Sequence, residues 1–191
     1  MSRAYRISVT ESLRRVIKGS DHVTSQLEIL AVVPPEELSQ ILAGELAQRG
    51  FEKQPDGKWR REEEGIAVVV DAATAEVEVR AEVSQSLVLE TDRTGHYYNE
   101  NSEAQRSHIR EKLRDDAREG LEHQAEQRAA DLQRQATDAL ERKLRDLQPE
   151  LDQIVNRVTA EGLKRKASRL GQIKELTEDP ASGSLTIVVE V

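Results

Sequence analysis

Few residues of this chain are placed to do chemistry. Its four histidines are His22, His96, His108 and His123. His108 lies three residues before Glu111, and His123 four residues after Glu119, so each pair shares one face of a helix. Such pairs would suit a metal enzyme or a hydrolase. A carboxylate-bridged di-metal bundle, however, needs two Glu-x-x-His motifs with further glutamates, and neither pair has that order. Solvated side chains on a charged helix are the simpler reading. No phosphate-binding glycine loop, dinucleotide fingerprint, nucleophile elbow or zinc signature occurs, and no spacing of Ser, His and Asp nominates a triad. With no cysteine, disulfides, thiolate catalysis and cysteine-ligated metals are excluded. The expectation is a protein that is not an enzyme, with no catalytic, metal or cofactor-binding residue to name.

Binding chemistry is better represented. Lys164, Arg165 and Lys166 open the basic cluster KRKASR, which could meet phosphate or an acidic partner. The same cluster falls in the last turns of a helix, where the helix dipole favours cations without any ligand. Tyr97 and Tyr98, in HYYNEN, either wedge a following helix against a sheet or form an exposed contact patch; the wedge is the stronger reading. RREEEG reads as a charged hairpin edge that deters strand-to-strand aggregation. A net charge of -8 argues against a dedicated nucleic-acid binder. The first residues have no apolar signal-like core and no run approaches the roughly 18 apolar residues of a span, so a soluble, cytoplasmic protein without a membrane partner is expected.

The elements that must position these groups follow from periodicity. Residues 3–9 alternate as a strand through Tyr5, Ile7 and Val9, and a Gly-Ser-Asp turn precedes a second strand near 23–33. Pro34-Pro35, Glu36 and Glu37 start an amphipathic helix over 35–49, with Leu38, Ile41, Leu42 and Leu46 on its apolar face. Residues 51–92 read as an antiparallel meander, with a Pro-Asp-Gly turn at its first hairpin, covered on one face by that helix.

RTGHYYNENSEAQ interrupts the strand pattern. Ser102 with Gln105 matches a capping box, with Asn99 and Asn101 as alternative caps. Beyond them Leu113, Leu121, Leu132 and Leu140 belong to an alanine-rich apolar stripe whose steps average about 3.8 residues, too long for a left-handed coiled coil. Gly120 weakens this helix by roughly 1 kcal/mol relative to alanine. Proline in a helix interior costs about 3 kcal/mol, so Pro149 is expected to end the helix and let a second one, 149–170, fold back against it. A kinked continuous rod is the alternative. The last residues alternate at Leu185, Ile187, Val189 and Val191, after a turn, as half of a terminal hairpin. An isolated hairpin is marginal in water, so it is expected to return to the sheet.

The fold class that results is α+β: an antiparallel sheet with one packing helix, interrupted by a long, coiled-coil-like helical arm, with a terminal hairpin returning to the sheet. Its parts are a body at 1–98, the inserted arm at 99–171, and a hairpin at 172–191 completing the body. Partner contacts are expected on the arm. They are Leu113, Leu121, Leu132 and Leu140 on the stripe, Tyr97 and Tyr98 at the root, and Lys164, Arg165 and Lys166 in the last turns of the second helix.

Three stretches, SRAYRISVTESLRRVI, ILAVVPPEELSQILAGELAQRGFE and LKRKASRLGQIKELTEDPASGSLTIVVEV, together resemble small bacterial proteins of the FtsH ternary systems. Those are gene clusters built around AAA+ ATPases and von Willebrand factor A proteins. The resemblance implies a non-catalytic accessory component, an adaptor or scaffold in a multiprotein assembly, with an AAA+ ATPase or a von Willebrand factor A protein as partner. The alternative is a self-assembling homo-oligomer whose arms pair with one another.

Overall fold

The computed structural model describes residues 4–98, 103–179 and 184–190. In chain order the elements are β1 (Ala4–Gln26), α1 (Pro35–Gln48), β2 (Glu52–Lys53), β3 (Trp59–Glu63), β4 (Ile66–Asp71), β5 (Glu76–Tyr98), α2 (Glu103–Leu170), β6 (Gln172–Asp179) and β7 (Ser184–Glu190). A five-stranded antiparallel sheet has the order β1-β5-β4-β3-β2, and β6 and β7 form a two-stranded sheet. The class is α+β, as expected. Two compact units are built from these elements, Met1–Ser20 with Glu82–Ala136 and Asp21–Ala81 with Thr137–Val191, so that β1, β5 and α2 each contribute to both.

In the first unit the strands form a two-stranded ribbon. Tyr5 meets Tyr97, Thr10 donates to Asp92 and Lys18 pairs with Glu82, so one strand ascends as the other descends. Side chains alternate across a strand: Ile7, Val9 and Ile17 of β1, with Leu87 of β5, are buried. The α2 stripe through Ala117, Leu121, Ala125 and Leu132 is buried in the same unit. Alanines suit a helix that lies close to strand backbone. A Cβ on Gly19 would strike the backbone of Leu132 and Gln133, and one on Gly95 would come within 3.0 Å of Leu113 Cδ1.

These two glycines explain two departures from expectation. Gly19-Ser20-Asp21 is not a turn between two strands but the interior of a single strand, β1, which ends at Gln26 instead of reaching residue 33. Thr94-Gly95 does not break the pattern either, and β5 runs on to Tyr98. Each glycine serves the approach of a helix rather than a change of chain direction. The capping residues Asn99, Asn101 and Ser102 lie outside the described residues.

In the second unit Ile66, Val68 and Val70 of β4 and Val77 and Val79 of β5 pack with Leu42 and Leu46 of α1. Leu140, Leu147, Leu151, Ile154 and Val158 of α2 complete that core. The expected Pro-Asp-Gly turn forms, with Gly57 at a φ of 88° and the Asp56 carboxylate accepting from the Lys58 N–H.

Helix α2 does not fold back at Pro149; it continues through it. The proline forfeits one helical bond and strains the preceding turn, about 3 kcal/mol. Leu147, Leu151, Ile154 and Val158 straddle it with side chains at most 9 % exposed, and each such burial stabilises by roughly 1.5–3 kcal/mol. Tertiary packing therefore exceeds the local cost. The stripe is accordingly covered within the chain, not displayed on a free arm.

The terminal hairpin forms, with Ile173 opposite Val189 and Leu176 opposite Ile187. It makes a sheet of its own instead of joining the five-stranded one. The β2 edge of that sheet offers a ladder of only two residues, Glu52 and Lys53, and the hairpin does not use the longer edge on β1 either.

Gly19→Ala should destabilise the chain by about 1–3 kcal/mol, because rigid helix backbone stands where the methyl must go. Gly120→Ala meets only the flexible end of Arg93, at 3.1 Å, and should be neutral or stabilising by up to about 1 kcal/mol. Denaturant unfolding of the two variants checks both the size and the opposite sign.

Candidate functional site

The second unit holds a groove of about 500 Å³ between α1 and the last turns of α2. Gln40, Gly44, Glu45 and Gln48 form one wall; Arg157, Glu161, Lys164 and Arg165 form the other. The α1 sequence alternates its faces so that Ile41, Leu42 and Leu46 point to the core, and Glu45 sits at the boundary. Glu45 is buried although charged, and it is served by two arginines: Arg49 Nε donates to it at 2.8 Å and Arg157 Nη1 stands 3.5 Å away. At one end of α1, Arg169 of α2 donates to Glu37 at 2.6 Å.

The same charges run on into a cluster around Glu150. Arg61 grips that carboxylate with a two-pronged fork at 2.8 and 2.7 Å and donates to the Arg49 carbonyl at 3.1 Å. Its guanidinium lies 4.6 Å above the Phe51 ring. Arg49 reaches Glu150 at 3.9 Å. Hydrogen bonding from Arg61 holds the Glu150 carboxyl below the usual carboxylate range, against the opposing effect of burial. Lys143 acts likewise on the exposed Glu63, which it meets at 2.7 Å. Paired fork geometry of this kind is strong and directional. Its chemistry is charge recognition and orientation; a carboxylate held ionised this firmly is a hydrogen-bond acceptor, not a proton donor at neutral pH.

Of the residues expected at partner contacts, Lys164 and Arg165 line the groove and Lys166 lies exposed beside them. Tyr97 stacks on Tyr5, with centroids 5.4 Å apart, and Arg106 of α2 lies 5.6 Å from the centre of its ring. Tyr97 is half-buried, while Tyr98 is 54 % exposed. Leu113 is half-buried against Gly95. Leu121, Leu132 and Leu140 are at most 5 % exposed and sit in the cores of their units. All four histidines are exposed, and among the described residues no three His, Asp or Glu side chains are grouped as a metal site requires.

The sequence did not single out Glu45, Arg49, Glu150 or Arg157, and it marked Arg61 only as part of the charged RREEEG edge. Two signals were present. Glu45 and Arg49 have the i,i+4 spacing of a helical ion pair, and Arg61 shares the inward face of β3 with Trp59. The partner Glu150 is remote in sequence and had no such mark.

A family model describing the FtsH ternary system domain X5 matches residues 1–191. The chain belongs to that family. Membership makes it a component of a multiprotein system, consistent with an accessory role and protein partners. No curated protein and no solved structure matches the chain. Among the described residues no helix is long and apolar enough to cross a membrane.

Because the folded-state pKa of Glu150 is depressed, its contribution to stability is present above the unfolded carboxyl range, near 4.3, and is lost as pH falls through the lower folded value. Glu150→Gln should cost about 1–2 kcal/mol at neutral pH, with the deficit shrinking below about pH 4. Urea melts of both proteins across that pH range provide the measurement.

Proposed function

We propose that this chain is a non-catalytic adaptor or scaffold within a FtsH ternary system, binding a protein partner through the exposed, charged side of α2. The observation that carries the reading is the family match along residues 1–191. An AAA+ ATPase or a von Willebrand factor A protein of the same system is the partner it implies. Burial of the apolar stripe turns attention to polar surface. Lys164, Arg165 and Lys166 supply a local basic patch on a chain of net charge -8. Beside them the groove offers Gln40, Gln48 and Arg157 to an acidic segment.

Co-purification with the ATPase and von Willebrand factor A components of one such system tests this. The wild-type chain should bind one of them, more weakly at high salt. Arg165→Glu with Lys166→Glu should weaken binding by about tenfold or more without changing the melting temperature of the isolated chain. Unchanged binding in that variant would move the contact elsewhere, and no binding to either component would remove the adaptor reading.

A further inference from the structure

β1 is the terminal strand of the five-stranded order, so one of its edges faces no strand. Such an edge is a template for another strand unless something covers it. The chain covers it at one place in the first unit. The Gln133 side-chain amide donates to the Ser20 carbonyl at 2.8 Å and accepts from the Ser20 N–H at 3.2 Å, imitating a neighbouring strand. Ser20 therefore turns its backbone groups away from β5. At the end of β1 the odd-numbered Leu27 donates to Ala75, on the β5 side. Backbone direction alternates along a strand, so even-numbered residues between Arg6 and Lys18 present their N–H and C=O groups to the open edge. Among the described residues no strand pairs with them there.

We propose that this edge pairs antiparallel with β1 of a second copy of the chain, about a two-fold axis at Leu13. Among the axes from Glu11 to Arg14, which give the longest overlap of the open stretch, charge selects the register. Centred on Leu13, Glu11 lies opposite Arg15 of the other copy, Val9 opposite Ile17, and no like charges face each other; cross-strand pairs of this kind are favourable. Moving the axis to Ser12 sets Arg6 opposite Lys18. Axes at Glu11 or Arg14 set each of those residues opposite itself. Within the chain α2 already holds both groups, Glu11 through Arg114 and Arg118 at 3.6 and 3.5 Å and Arg15 through Glu122 at 2.8 Å, so the cross-strand pair extends an existing ion-pair network.

The open stretch of β5 lacks this complementarity. Arg93 is odd-numbered and its acidic neighbours Glu90 and Asp92 are even-numbered, so no two-fold register opposes them. Pairing through β1 also suits α2. A two-fold axis normal to the sheet places both helices on one face. Their ribbons are then two strand spacings apart, about 10 Å, and helices pack at about 8–10 Å. The assembly is isologous and closed.

Three measurements on the full chain test the interface. Sedimentation should give twice the 21.5 kDa chain mass. The sequence contains no cysteine, so Leu13→Cys, which lies opposite itself, should be locked as a disulfide dimer by mild oxidation. Ser8→Cys, which lies opposite Lys18, should not. Ser12→Pro removes an N–H that the strand's alternation places at the open edge and should yield a monomer with wild-type circular dichroism. A wild-type monomer, a dimer that Leu13→Cys fails to lock, or a Ser12→Pro variant that remains dimeric would each overturn the proposal. So would a monomer that instead takes up an added extended peptide.

Discussion

The close fit of one narrow helix stripe against strand backbone is the constraint on which this structure depends. Two strands alone are marginal in water, and β1 and β5 stand as a ribbon in the first unit because α2 covers one face of it. The cover works only at short range. Ala117 and Ala125 carry only a methyl, too short to hold the helix away, and Gly19 and Gly95 remove the Cβ atoms that would collide with it. Small residues on both partners trade area per residue for proximity, so the contact depends on length more than on bulk. That is why a chain with only five aromatic residues can still bury an apolar cluster around Ile17, Leu87, Ala125 and Leu132 in this unit.

In the second unit the stripe widens. Leucine, isoleucine and valine replace alanine on α2, and the helix packs on a sheet that also carries α1. Burial there is deep enough to carry the helix through Pro149, against its local cost. The Arg61–Glu150 fork just past the proline adds a directional restraint that apolar contact lacks. Such pairs contribute modest net stability because two ions lose water to form them. Their larger effect is on register, since Arg61 can grip Glu150 in only one placement of the helix on the sheet.

Legibility in the sequence followed the range of the interactions. The α1 helix, the β2–β3 hairpin, the final β6–β7 pair and the mixed class could be read from periodicity and turn residues, because those signals are local. The long strands could not. Gly19 and Gly95 look like turn residues unless the helix backbone lying over them is known, and Leu132 is more than a hundred positions from Gly19. Pro149 misled for the same reason: its penalty is local, whereas the packing that exceeds it comes from α1, β4 and β5. The candidate groove was half visible. Lys164 and Arg165 stood out as a basic run, while Glu45 and Glu150 acquire meaning only beside arginines brought in by the fold.

The division of α2 into a consumed face and an exposed face sets what remains available for association. Its apolar stripe is taken up inside the chain, so neither a partner nor a second copy can use it without displacing strands. What is left is mainly polar side-chain surface and strand edge, with scattered exposed apolar residues such as Val16, Val88 and Leu170. Charged residues make up 34 % of the chain, and they act on these two kinds of surface differently. On the α2 flank, charges select a partner by sign and tune how fast it is met. Along a strand edge the backbone supplies the attraction without regard to sequence, and charges decide only which register is tolerated. The Gln133 amide shows that this edge has real pairing strength, because a side chain held in place by α2 engages both backbone groups of Ser20. An edge capped at Ser20 and carrying Arg6, Glu11, Arg14, Arg15 and Lys18 elsewhere is thereby restricted in the registers that it tolerates.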